Sequence, residues 1–160
     1  MPATVKIKDI VEAIVEELEM QADQFTYFVD LDSGAVEAVS KDLLLDAEEF
    51  DDDDEEPDLP AWQIPQWELA KRIFSTGRFR HLPSRFDVHE WSIMQDFVFS
   101  IEPGRVHEEL MDAIHGAGAF RNFRDVLRRR RIESAWSEFR TEALTEIALG
   151  WCERNEIAWE

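Results

Sequence analysis

Nine of the thirteen residues from Glu48 to Pro60 are aspartate or glutamate, and two of the other four are proline. Such a stretch repels itself and has almost nothing to bury, so it fits neither a helix nor a packed strand. It reads as an acidic linker over about 48–60. On this reading it separates an N-terminal helix–hairpin part from a helical C-terminal part, within a single domain spanning residues 1–160. The charge follows the same division. Residues 1–60 carry 20 acidic and 3 basic side chains, and residues 61–160 carry 16 acidic and 14 basic. The formal net charge of −19 is therefore a local property. The second part holds a compact cationic run, Arg128, Arg129, Arg130 and Arg131.

Eleven Phe and six Trp among 160 residues supply large surfaces for a core. No run of about 18 apolar residues occurs, so no membrane span is expected. The first ten residues enter an amphipathic pattern directly, without the charged-then-apolar order of a signal segment. Cys152 is the one cysteine, so no intrachain disulfide is available. These features favour a reducing cytoplasm.

Residues 5–20 predict a helix, with Ile7, Ile10, Val11, Ile14, Val15 and Leu18 on one face. Residues 25–29 and 35–39 are aromatic and β-branched and flank a turn-rich stretch, which predicts a β-hairpin. Asp30 and Asp32 do not make a calcium loop: the sixth residue from Asp30 is Ala35 rather than Gly, and the twelfth is Lys41 rather than Glu. They are assigned to the turn. Ser40 can cap a short helix from Lys41 to about Ala47. Pro65 suits the first turn of a helix ending at Gly77. Alternation over Arg78–Leu82 fits a third strand.

A helix over Pro83–Ile101 shows capping-box spacing, with Asp87 at N-cap, Glu90 at N3, and Phe86 and Trp91 as a hydrophobic staple. Trp91, Met94, Val98 and Ile101 form its inward stripe, with Phe97 beside it. Further helices follow around Val106–Ile114, from about Ala119, and over Glu133–Arg154, the last with Trp136, Phe139, Ala143, Ile147 and Trp151 in one stripe. The expected fold class is α+β: a mainly helical single domain with a small antiparallel sheet.

Catalytic patterns are missing. His89 stands two residues from Asp87 and one from Glu90, spacings that do not face each other on a helix, and capping accounts for the two acids. His107 and His115 stand more than two turns apart. No His-Glu-x-x-His pattern, cysteine pair or Gly-x-Ser-x-Gly turn occurs, so no catalytic, metal or cofactor residue is assigned. Cys152 reads as a packing cysteine. The arginines carry more information. On a helix from Ala119 to Arg131, Arg121, Arg124, Arg128 and Arg131 fall within about 80° of one another, and Phe120, Phe123 and Leu127 lie on an adjacent, core-directed face. Guanidinium forks suit phosphate or carboxylate.

Three segments carry a resemblance: Leu82 and Pro83 with Asp87–Phe97, Gly116–Asp125, and Trp136, Phe139, Arg140, Ala143, Glu146, Ile147, Ala148 and Trp151. Together with the hairpin Phe28–Val36 they resemble the uncharacterised bacterial family UPF0158. The resemblance implies a bacterial, cytoplasmic protein and brings no catalytic residues with it.

The leading functional expectation is a non-enzymatic protein-interaction or regulatory module, its partner another protein. Asp51, Asp52, Asp53, Asp54, Glu55 and Glu56 would act as an acidic tether, folding back over the arginine edge in competition with an anionic partner. A second expectation is nucleic-acid binding by the arginine edge, or phosphate mimicry toward a basic partner by the acidic part. A third, resting on residue types alone, is a hydrolase or transferase pairing an acid with His81 or His89. No membrane partner is expected.

Overall fold

The computed structural model describes residues 4–19, 24–84 and 87–160. Among them lie seven α-helices and a three-stranded antiparallel sheet, an α+β arrangement that is mainly helical. The chain divides into two compact units, Met1–Ser84 with Ala148–Glu160, and Arg85–Ile147. The acidic stretch does not mark that division. It lies inside the first unit and joins two of its helices.

The first unit holds α1 (Ile7–Glu19), β1 (Phe25–Asp30), β2 (Val36–Ser40), α2 (Lys41–Glu49), α3 (Ile64–Thr76) and β3 (Phe79–His81). The strand order is β2-β1-β3, with Thr26 opposite Val39 and Phe28 opposite both Glu37 and His81. Strand β1 is thus central, and five of its six residues are buried. Alternation sends Phe28 to one face, where Val39 and Phe79 join Leu43, Ala47, Trp67, Leu69 and Ala70 of α2 and α3 in a core cluster. Tyr27 points to the other face and donates its hydroxyl proton to Glu16 of α1 at 3.2 Å. The sheet is therefore covered on both sides.

The hairpin turn is built by Asp30 as expected. Its Oδ1 accepts the Asp32 N–H at 2.9 Å, its Oδ2 accepts from Arg78 at 3.2 Å, and Gly34 takes the left-handed φ of 75°. Ser40 stands at the N-cap of α2, but its hydroxyl makes no capping bond. Helix α3 carries Pro65 in its first turn and ends at Gly77 with φ 67°. The chain ends also meet here. Val5 N–H donates to Ala158 O at 3.0 Å and Glu160 N–H to Val5 O at 2.9 Å.

The second unit contains α4 (Glu90–Ser100), α5 (Arg105–Ile114), α6 (Ala119–Arg129) and the first part of α7 (Glu133–Arg154). Phe97 is the centre of its core. Its ring meets Phe123, Trp136 and Phe139 edge-on at centroid distances of 6.2, 5.4 and 5.3 Å. The flanking position expected for Phe97 is thus corrected to a central one.

The capping box is also corrected. Helix α4 starts at Glu90, with His89 at N-cap and no side-chain cap bond. The Glu90 carboxylate instead meets Arg140 at 2.9 Å, a charge pair largely removed from water, which outweighs a capping bond. Phe86 of the expected staple lies outside the described residues. In α7, Leu144, Ala148 and Cys152 are fully buried at i, i+4 spacing, while Ala143 and Ile147 are only half-buried.

Candidate functional site

Two charged surfaces were legible in the sequence, one in each unit. The acidic one is held in place rather than free. At its start, Asp51 N–H donates to Asp54 Oδ2 at 2.9 Å and Asp54 N–H returns to Asp51 O at 2.9 Å, closing a tight turn. Phe50 packs edge-on against Trp67 at 5.3 Å and joins the core of the first unit. At the far end, Glu56 accepts from Trp67 Nε1 at 2.6 Å and from Lys71 Nζ at 2.7 Å. Lys71 also meets Glu68 at 3.1 Å, and its ammonium lies over the rings of Phe50 and Trp67 at 5.7 and 5.6 Å. The Lys71 hydrogen bond, then that of Trp67, holds the Glu56 carboxyl below its ordinary pKa. The Glu56 hydrogen bond in turn raises that of Lys71.

This strapping creates a cleft of about 560 Å³ against α2 and α3. Glu48, Asp52, Asp54, Glu56 and Glu68 line it together with Phe50, Phe74 and two cations of α3, Lys71 and Arg72. Of the six acids expected to form a tether, Glu56 is committed to α3. Asp51, Asp52, Asp53, Asp54 and Glu55 are exposed.

The arginine edge lies on α6, and it differs from the expectation at one residue. Ile132 N–H bonds Leu127 O at 3.0 Å and Arg131 N–H bonds Arg128 O at 3.2 Å, the paired bonds of a Schellman ending. Arg131 sits at its left-handed position with φ 56° and is no longer on the helix. Ile132 packs against the core, the apolar contact that commonly accompanies such an ending. Arg121, Arg124 and Arg128 remain on α6 and are exposed, as is Arg131. Arg128 approaches Asp125 at 4.0 Å across a solvated pair, which contributes little.

The two neighbouring cations share one carboxylate. Glu109 of α5 accepts from Arg130 Nε at 2.9 Å and from Arg129 at 3.3 Å, with a second bond from Arg130. Those bonds, Arg130 first, push the Glu109 carboxyl down to about 2. The four-arginine run thus splits by structure: half-buried Arg130 ties α6 to α5 through Glu109, exposed Arg129 shares that carboxylate at longer range, and Arg128 and Arg131 face solvent.

Histidines and the cysteine take structural places. His81 Nδ1 donates to Leu82 O at 2.5 Å, and its ring meets Phe28 edge-on at 5.3 Å. His107 donates toward Val98 O at 3.0 Å and Ile101 O at 3.2 Å, covering carbonyls at the end of α4. His115 donates to Met111 O at 2.7 Å and abuts Trp91. Cys152 is buried, and desolvation raises its thiol pKa, the opposite of what a nucleophile needs. A second cleft, of about 390 Å³, is floored by Tyr27 and rimmed by Asp9, Glu12 and Glu16. Neither cleft contains a histidine. Among the described residues no group of three or more His, Cys, Asp or Glu is placed to hold a metal ion, and no helix is long and apolar enough to cross a membrane.

Sequence reasoning missed Glu109, Lys71 and Gln66. Each acts through a partner 15 or more positions away in sequence, and no local pattern marks such a pair. Over residues 2–159 the chain matches the profile of an Uncharacterised protein family (UPF0158). No curated protein and no solved structure matches it.

Proposed function

Because the chain belongs to the UPF0158 family, which has no assigned function, we propose a function from its own surfaces. The protein is a non-enzymatic interaction module, bacterial and cytoplasmic, whose acidic segment receives a cationic stretch of a partner protein. The observation that carries this reading is the strapping of Asp51–Glu56 between Phe50 and the Glu56–Lys71–Trp67 knot. A free acidic tail loses conformational entropy when a partner orders it; a segment already tied at both ends loses less. Asp52 and Asp54 of this segment line a cleft to which α3 adds Glu68 and the exposed ring of Phe74, beside Lys71 and Arg72. That combination suits arginine or lysine side chains, which present a charge on an apolar stem. A basic nucleic-acid-binding protein fits the same chemistry and makes phosphate mimicry one form of this reading.

The enzyme reading would need a carboxylate and a histidine converging in a pocket, and the two clefts described above bring carboxylates together without a histidine.

The test compares the wild-type chain with the quadruple variant Asp51→Asn, Asp52→Asn, Asp53→Asn, Asp54→Asn. The side-chain amide introduced by Asp54→Asn keeps an acceptor oxygen for the Asp51 N–H, so the turn is retained. Calorimetric titration with an oligo-arginine peptide should show affinity weakened at least about tenfold and a flattened salt dependence. Capture from a bacterial lysate should retain a basic protein on the wild type and lose it on the variant. Equal affinity and equal salt dependence for the two proteins would end the proposal.

A further inference from the structure

The second unit carries a surface that the acidic cleft does not use, and the inference drawn from it stands independently of that cleft. Phe120, Arg124 and Arg128 follow one another at i, i+4 spacing along α6, so they form a single ridge with about 6 Å of rise between successive residues. Arg121 flanks the ridge three residues from Arg124. The sequence pattern assigned Phe120 to the core, yet its side chain is 46% exposed. Phe123, one turn further on, is 1% exposed and fills the core in its place. Part of an aromatic ring thus stands open to solvent on the same helix as three exposed arginines, Arg121, Arg124 and Arg128.

We propose that this ridge binds single-stranded nucleic acid, with one unpaired base stacked on Phe120 and successive phosphates paired with Arg124, Arg128 and Arg121. Each part of that assignment follows from chemistry. Guanidinium forks match phosphate oxygens and remain charged at any physiological pH. A phenyl face accepts any base by stacking, but only when the base is not already stacked in a duplex. An acidic protein segment would satisfy the arginines and leave the ring unused. Glu109 engages Arg130 and, at longer range, Arg129, which sets these two guanidiniums apart from the ridge.

The affinity is modest. Residues 85–147 carry 12 acidic and 9 basic side chains, leaving −3, so the net field does not assist binding. A dissociation constant of about 10–100 μM at ordinary salt is expected, in the range of sequence-independent contacts.

The experiment is fluorescence anisotropy of a labelled oligothymidylate titrated with the full chain at several salt concentrations. Three phosphate contacts predict a slope of log K against log salt of about −2, at roughly −0.7 per contact on a single strand. Phe120→Ala should weaken binding about tenfold while leaving the slope unchanged, which separates stacking from charge. Arg124→Ala with Arg128→Ala should weaken binding and flatten the slope by about 1.4. Arg105→Ala, an exposed arginine on α5, should leave both within about twofold, and circular dichroism checks that each variant is folded. Three outcomes overturn the proposal. One is no binding of the single strand at low salt, and another is equal affinity for Phe120→Ala and wild type. The third is stronger binding of poly-glutamate than of the oligonucleotide, which would assign the ridge to an acidic protein instead.

Discussion

The side-chain amide of Gln66 occupies the open edge of the sheet at Ala38, donating from Nε2 to the Ala38 carbonyl at 2.9 Å. Its Oε1 simultaneously accepts the Ser40 N–H at 3.0 Å. A single amide thus makes the two contacts that a neighbouring strand would make. The opposite edge is treated similarly, where Trp151 Nε1 donates to His81 O at 3.0 Å. Uncapped edges recruit other chains, and here two side chains close them.

Replacement of Gln66 by Ala should therefore cost about 1–2 kcal/mol, since water can partly replace the lost bonds at this half-buried edge. Urea denaturation measures it. Size-exclusion chromatography of the same variant should show more association than the wild type. If stability and association are both unchanged, the amide is not guarding the edge.

Tyr27 is the single tyrosine, so its ionisation can be followed alone. Burial, then its hydrogen bond to Glu16 and the charges of Glu16 and Glu17, push its phenol up to about 12. The native state therefore holds this proton more tightly than the unfolded chain. The associated stability is complete below pH 10 and is lost as pH rises from about 10 to about 12. Tyrosinate absorbance should titrate near 12 in the native protein, and Glu16→Gln should bring it part of the way down. A wild-type midpoint near 10 would contradict the buried, Glu16-bonded phenol.

Glu109 responds at the other end of the scale. Its carboxyl is lowered from 4.5 to about 2, chiefly by Arg130 and then by Arg129. The unfolded chain takes up this proton first, so stability falls as pH drops from about 4.5 toward 2 and is unaffected by this group above that window. Glu109→Gln should remove part of the acid sensitivity measured by denaturation at about pH 3 against about pH 6. A variant as acid-sensitive as wild type would show that the clamp is screened away in solution.

Phe97 contacts three aromatic rings and is 4% exposed. Phe97→Ala should cost about 3–5 kcal/mol. Phe99, two residues on and 58% exposed, should cost under about 0.5 kcal/mol on the same change. Thermal melts of the pair give the comparison, and similar losses would refute the placement of the core.

Arg131 holds a left-handed φ of 56° without being glycine. Arg131→Gly should stabilise the protein by about 0.5–1 kcal/mol, the relief of side-chain strain exceeding the added freedom of the unfolded chain. A loss of stability would instead reveal contacts made by the Arg131 side chain.

Helix periodicity and turn chemistry are local properties, and they made much of this fold legible. Ile10, Val11 and Ile14 mark the buried face of α1, and the aromatic and β-branched runs around Asp30–Gly34 mark the hairpin. Gly77 marks the end of α3 because a left-handed residue is needed there. The family was legible too, from the segments Asp87–Phe97 and Gly116–Asp125. Charge counting picks out the acidic run and the arginines of α6, and local pattern alone does not fix where each side chain ends up. Helical periodicity puts Arg131 on a helix that a Schellman ending closes at Arg129, and puts Phe120 with the core although it is 46% exposed.

The amino-acid order alone set the fold class, the central hairpin and the segregation of charge, since each follows from residues within a few positions of one another. Only the packed structure decided which charges remain available. Glu109 reaches Arg130 across 21 positions and Lys71 reaches Glu56 across 15. An ion pair forms where folding brings two side chains within hydrogen-bond distance, and that distance is a property of the tertiary fold rather than of sequence spacing.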